Sequence, residues 1–109
     1  MPENPNRFEP VYETHRTEWN GIALTIRHCR SWLSSKAETT TQHIEVCTVP
    51  RVPLPITETG YRSIFLNGAD GLSEFDDDPV AYVTAHINFA AQSKAWRDKE
   101  DARRQFDLF

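Results

Sequence analysis

The feature that most restricts the fold is Asn20-Gly21 followed by Ile22-Ala23-Leu24-Thr25-Ile26-Arg27-His28. Asn-Gly is the pair that most readily adopts the two positive φ values of a tight hairpin turn. Beyond it Ile22, Leu24 and Ile26 alternate with Ala23, Thr25 and Arg27, and a period of two places each set on its own face of a strand. Such a strand needs neighbours for its backbone groups and a cover for its apolar face. Val11 to Thr17, before the turn, is β-tolerant and supplies the first neighbour.

A third strand spans His43 to Val49. Ile44 and Val46 alternate there with His43, Glu45 and Cys47, so the latter three share a face. The intervening Arg30 to Gln42, with Trp32 and a Ser/Thr-rich run, reads as a loop that its aromatic anchors to the sheet. Pro50, Pro53 and Pro55 cannot donate to a ladder, which makes Val52 to Ile56 a crossover or edge segment. Within Thr57 to Leu66, a turn at Gly60 leads into Tyr61, Ile64, Phe65 and Leu66, the fourth strand.

The cover for this sheet comes from the C-terminal third. Asp78-Pro79 has the form of an N-cap followed by proline at the first helical position. Glu74, Asp76, Asp77 and Asp78 suit the positive end of that helix and lack the spaced ligand order of a calcium loop. Val83, Ile87, Ala90 and Ala91 recur at helical spacing, with Tyr82, His86, Phe89 and Trp96 widening the apolar arc. The helix then continues as an almost wholly charged stretch to Arg104, where Glu100 and Arg104 stand at i, i+4. The expected fold class is α+β: a small antiparallel sheet of three to four strands packed by one long C-terminal helix.

At 109 residues the chain has the length of one domain. The expected division is a domain over residues 1–96 and a charged helical extension with a terminal peptide over 97–109. Met1 to Pro10, with three prolines, reads as irregular, and Met1 to Asn6 has no apolar run of a targeting segment. Together with the lack of a membrane-length apolar stretch, this predicts a cytoplasmic protein. A net charge of −4 argues against a surface coated in phosphate contacts, without excluding local contact with DNA. Cys29 and Cys47 are too few for a disulfide framework and are read as reduced thiols.

The sequence ends Gln105-Phe106-Asp107-Leu108-Phe109. A large aliphatic and an aromatic side chain after a charged helix leave roughly 1.5 to 3 kcal/mol of burial energy unused at each of the two last positions. Gln105, Asp107, Leu108 and Phe109 resemble the Gln-x-Ser/Asp-Leu-Phe pentapeptide by which bacterial proteins bind the replicative sliding clamp. A chance match at one fixed position has a probability on the order of 10⁻⁵ from average composition. The resemblance implies that Gln105 hydrogen-bonds at one subsite, Leu108 and Phe109 enter an apolar pocket, Asp107 fixes the peptide's turn, and Phe106 adds contact. A helix rising about 1.5 Å per residue through the charged stretch would carry this peptide roughly 12 Å beyond the domain. The competing reading returns Phe106, Leu108 and Phe109 to the chain's own sheet.

On the body, Pro53 to Ser63 is dense in turn-forming residues: Gly60 permits tight backbone, Thr57 and Thr59 can cap it, and Arg62 offers a planar fork for an anion. The segment Pro-Ile-Thr-Glu-Thr-Gly-Tyr-Arg-Ser is similar to that of small uncharacterised bacterial proteins, which bring no activity with them. Tyr61, Arg62, Arg27 and Arg51 are the candidates for a binding surface, with Glu58 pairing Arg62 as the plainer alternative. His43, Glu45 and Cys47, with Cys29 on a neighbouring strand, could in principle serve metal or nucleophilic chemistry. Alternating strand residues lie about 6 to 7 Å apart, however, so no metal site and no cofactor are assigned. The function read from the sequence is therefore a non-enzymatic adaptor that docks on the sliding clamp in DNA replication or repair. The alternatives are a small metal-dependent or cysteine enzyme on the His43 face, and a mobile-element interaction protein whose tail is structural.

Overall fold

A computed structural model describes residues 10–33 and 40–107. Strands β1 (Glu13–Trp19), β2 (Ile22–Leu33), β3 (Thr41–Thr48) and β4 (Tyr61–Asn67) form one sheet in the order β1-β2-β3-β4, every pair antiparallel. Two helices follow, α1 (Pro79–Ala90) and α2 (Lys94–Asp107). The fold is α+β, a four-stranded meander with two helices.

Local chemistry sets each join. Asn20 and Gly21 take φ of 51° and 82°, the turn that matches strand twist and fixes the register Trp19 opposite Ile22. Gly60, at φ 81°, admits the chain where a Cβ would stand 2.5 Å from Thr48 Oγ1 and 2.8 Å from the Val52 carbonyl. Thr57 closes that turn by donating its hydroxyl to the Tyr61 carbonyl at 2.7 Å and accepting from the Thr59 N–H at 3.2 Å. Asp78 Oδ1 accepts from the Val80 N–H at 2.9 Å, and Pro79 begins α1 as its sequence requires.

One face of the sheet is covered. Leu24 and Ile26 from β2 and Ile44 and Val46 from β3 are buried against Leu54, Leu72, Val83 and Ile87. Ile64 and Leu66 of β4 pack at the margin of this core. Val83 and Ile87 are one turn apart on α1, so a single stripe of that helix reaches the sheet.

Several boundaries differ from the sequence reading. Arg30 to Leu33 are the end of β2 and Thr41 and Gln42 the start of β3. A register shift after Cys29 hides the continuing strand from a simple count of alternation. β1 runs two residues later than expected, whereas β4 starts at Tyr61, directly after the Gly60 turn, as expected, and extends one residue further, to Asn67. The expected single long helix is two helices, separated at Ala91 to Ser93. Ser93 Oγ accepts from the Trp96 N–H at 3.1 Å and caps α2 as a new start. The apolar arc is narrower than its composition suggests, since Phe89 is 79% exposed and His86 is exposed. Along α2, Lys94 pairs with Asp98 at i, i+4 and 2.7 Å, while Glu100 and Arg104 each pair at i, i+3, Glu100 with Arg103 at 3.1 Å and Arg104 with Asp101 at 4.0 Å, instead of with each other. No helix is long and apolar enough to cross a membrane among the described residues.

Candidate functional site

Because α1 lies on one side of the sheet, the opposite side presents its own side chains in rows across the strands. Cys29, His43 and Phe65 are directly opposite one another on β2, β3 and β4. Thr14, Arg27, Glu45 and Ser63 form the next row, and Arg16, Thr25, Cys47 and Tyr61 the third. His43, Glu45 and Cys47 therefore do share a face, with Cys29 beside them.

His43 is the centre of this face. Tyr12 stands one residue before the pairing of Glu13 with His28, so its side chain leans over the small Cys29 to reach β3. Its hydroxyl and His43 Nδ1 are 2.5 Å apart, while the Ser63 hydroxyl and His43 Nε2 are 2.6 Å apart. Phe65 stacks on the imidazole with centroids 4.5 Å apart and planes 14° from parallel. Trp32 closes the cluster at 5.8 Å from His43 and 5.0 Å from Phe65. The histidine ring is thus held between two hydroxyls and two aromatic rings and is 7% exposed.

Burial lowers the pKa of His43, opposed by the Glu45 carboxylate and reinforced by Arg27. The imidazole is neutral at pH 7, with one nitrogen donating and the other accepting. Burial also raises the pKa of Tyr12 and of Tyr61, with Glu45 adding to both, so both phenols keep their protons. Glu45 is itself engaged: Arg27 Nη1 donates to Oε1 at 3.1 Å and the Tyr61 hydroxyl donates to Oε2 at 3.3 Å. Arg27 in turn lies 4.2 Å from the Tyr12 ring centre, and Arg51 lies 5.5 Å from that of Tyr61.

Of the four residues expected to make a body surface, Tyr61, Arg27 and Arg51 meet on this face. Arg62 does not. It pairs with Val46 and so points to the helix side, where its guanidinium approaches the Ile56 carbonyl at 3.4 Å. One position along a strand changes the face, and Arg62 stands next to Tyr61. Glu58 pairs with Lys99 at 3.2 Å instead of with Arg62. Arg62 and Lys99 border an open groove of about 510 Å³ between the Pro55–Glu58 turn and the start of α2.

Tyr12, Ser63 and Phe65 are the site residues that the sequence reading missed. The signal existed: once His43 is assigned a face, the parity of β4 puts residues 61, 63 and 65 beside it. Among the described residues no group of three or more His, Cys, Asp or Glu side chains could hold a metal ion. Both nitrogens of His43 are occupied, Glu45 is engaged by Arg27 and Tyr61, and Cys47 lies a row further on. Both cysteines are free thiols.

At the other end of the molecule, Trp19 joins the end of β1 to both helices. Its Nε1–H donates to Asn88 Oδ1 at 2.8 Å, and its ring meets Trp96 edge-on at 6.2 Å. Beyond that contact Asp101 to Gln105 are all exposed on α2. Leu108 and Phe109, and the side chains of Phe106 and Asp107, lie outside the described residues.

The fold and site define an antiparallel meander domain with helices on one face and a histidine-centred aromatic cluster on the other. Residues 12–96 match the KlcB third domain, and the chain belongs to that family. The matched stretch opens on Tyr12, which caps His43, and closes on Trp96, which docks α2. No curated protein and no solved structure gives a match.

Proposed function

We propose that this protein is a non-enzymatic adaptor that docks on the bacterial replicative sliding clamp through Gln105, Phe106, Asp107, Leu108 and Phe109, in replication or repair and hence in the cytoplasm. The observation that supports this reading is the course of α2. The helix leaves its Trp19 contact at Trp96 and runs through five consecutive exposed residues, Asp101 to Gln105, into the peptide. Among the described residues, the body's core is built from the sheet, the Leu54 and Leu72 loops and α1. The family match ends at residue 96, before this segment, and on this reading the tail has a role of its own beside the domain. A short peptide that orders on binding typically reaches micromolar affinity, about −8 kcal/mol, which suits recruitment.

Calorimetric titration of the clamp with the full chain and with a chain lacking Gln105 to Phe109 tests the proposal. The full chain is expected to bind and the shortened one not to, with its melting temperature unchanged. Leu108→Ala with Phe109→Ala is expected to cost about 2 to 4 kcal/mol of affinity. Equal binding by both chains rejects the motif. Unfolding on truncation shows instead that the tail belongs to the domain's own interior.

A further inference from the structure

Among the described residues, the sheet face opposite α1 carries no helix and combines features that a structural role alone does not require. Phe65 is 52% exposed and Tyr61 37% exposed, both on β4, an outer strand of the sheet. Aromatic rings left on an open sheet surface forgo burial energy. Here they stand in two separate rows, two positions apart on each side of Ser63, with Trp32 beside Phe65. Charge is distributed to match. Arg16, Arg27 and Arg51 belong to this face, where Glu45 is already engaged by Arg27 and Tyr61 and, among the described strand residues, Glu18 is the other carboxylate. The acidic run Glu74, Asp76, Asp77 and Asp78 lies across the sheet, leading into α1.

We infer that this face binds single-stranded nucleic acid, with bases stacking on Phe65 and Tyr61 and the backbone phosphates meeting Arg16, Arg27 and Arg51. Unpaired bases expose apolar ring faces that stack on aromatic side chains whatever their sequence, and guanidiniums stacked on tyrosine rings add cation–π attraction for the same surface. A duplex hides those ring faces, so the surface discriminates against it. His43 acts as a positioning residue: wedged between Tyr12 and Ser63, it fixes the plane of the Phe65 ring from beneath. With a chain charge of −4 the electrostatic part is small. Because Arg27 already pairs with Glu45, Arg16 and Arg51 supply the free charge, and neutralising about two phosphates of a single strand predicts a slope of about −1.4 in log K against log salt. The inference stands apart from clamp docking, because it rests on the sheet and not on α2 or the tail.

The test is fluorescence anisotropy of a labelled oligothymidylate of about 16 nucleotides, titrated with the full chain, beside the same label on a duplex. Binding to the single strand and much weaker binding to the duplex are expected. Phe65→Leu and Tyr61→Leu should each weaken binding about tenfold, with the thermal melt of the chain unchanged, and Arg51→Gln should flatten the salt slope. Amide chemical-shift mapping on the unaltered chain gives a second readout that needs no variant: shifts should gather at Tyr61 to Phe65, Arg27 and His43. No binding, equal binding of single strand and duplex, or shifts confined to α2 would overturn the inference. So would self-association of the chain that the same two substitutions abolish, since the face would then be a protein contact.

Discussion

His28 Nε2–H donates to Gln42 Oε1 at 2.7 Å, and Gln42 in turn donates its Nε2–H to the Gly68 carbonyl at 3.0 Å. Both side chains are buried on the helix side of the sheet, so a polar chain crosses the core from β2 through β3 to the loop after β4. His28 Nδ1 is buried without a hydrogen-bond partner. The imidazole is therefore held as one neutral tautomer, and a second proton would have to enter at an atom with no acceptor.

Burial is the main cause of the lowered pKa of His28, with Arg30 and His15 acting in the same direction and Gln42 and Glu13 against it. The unfolded chain takes up this proton near the ordinary value of about 6.5, before the folded chain does. Stability is expected to be flat above that pH, to fall as pH drops through it, and to level off below the folded pKa. His43 contributes in the same sense. Urea unfolding across this range checks the slope, and His28→Phe should reduce it.

Gln42→Leu leaves the buried His28 Nε2–H without its acceptor, while the Gly68 carbonyl keeps the Gly71 N–H at 3.3 Å. The expected loss is about 1 to 3 kcal/mol, measured by urea unfolding at pH 7.5.

Gly60→Ala and Gly21→Ala separate two penalties. Both sites have φ above +80°, which costs an alanine about 1 kcal/mol or more. At Gly21 a methyl group meets nothing within 4 Å, whereas at Gly60 it meets Thr48 Oγ1 and backbone of Val52. Thermal melting should show Gly60→Ala as clearly the more damaging change.

Ser93→Ala removes the cap that starts α2. A loss of about 1 kcal/mol is expected, with Ser93→Asn close to neutral. Helical circular dichroism during thermal melting follows both.

Ile87→Ala opens the core where α1 meets the sheet. Ile87 is fully buried, and a cost of about 2 to 5 kcal/mol is expected. Phe89→Ala, two residues on and exposed, should change the melt little.

The elements legible in the sequence are those in which local chemistry and tertiary packing agree. Asn20-Gly21, the alternation from Ile22, the shared face of His43, Glu45 and Cys47, and the Asp78-Pro79 cap all act over a few residues. The break before α2 was concealed because Ala90, Ala91 and Gln92 are tolerable helix formers, and only the hydroxyl of Ser93 marks a restart. Phe89 lies outside the covered arc because helical spacing describes a candidate arc, while the width of the sheet decides how much of it is covered. Arg62 neighbours Tyr61 in sequence, which on a strand guarantees opposite faces. Tyr12 and Ser63 could be joined to His43 only through the register of three separate strands, which no single segment encodes.

The meander order leaves β1 and β4 as the two margins of the sheet. β1 alternates charge along its length with Glu13, Arg16 and Glu18, which makes growth of a fibril by strand addition costly there. β4 offers Ile64, Phe65 and Leu66 in succession with Arg62 as its lone charge. A destabilised chain would begin to aggregate at that second margin, and a lysine in place of the exposed Asn67 would be the gatekeeper to install.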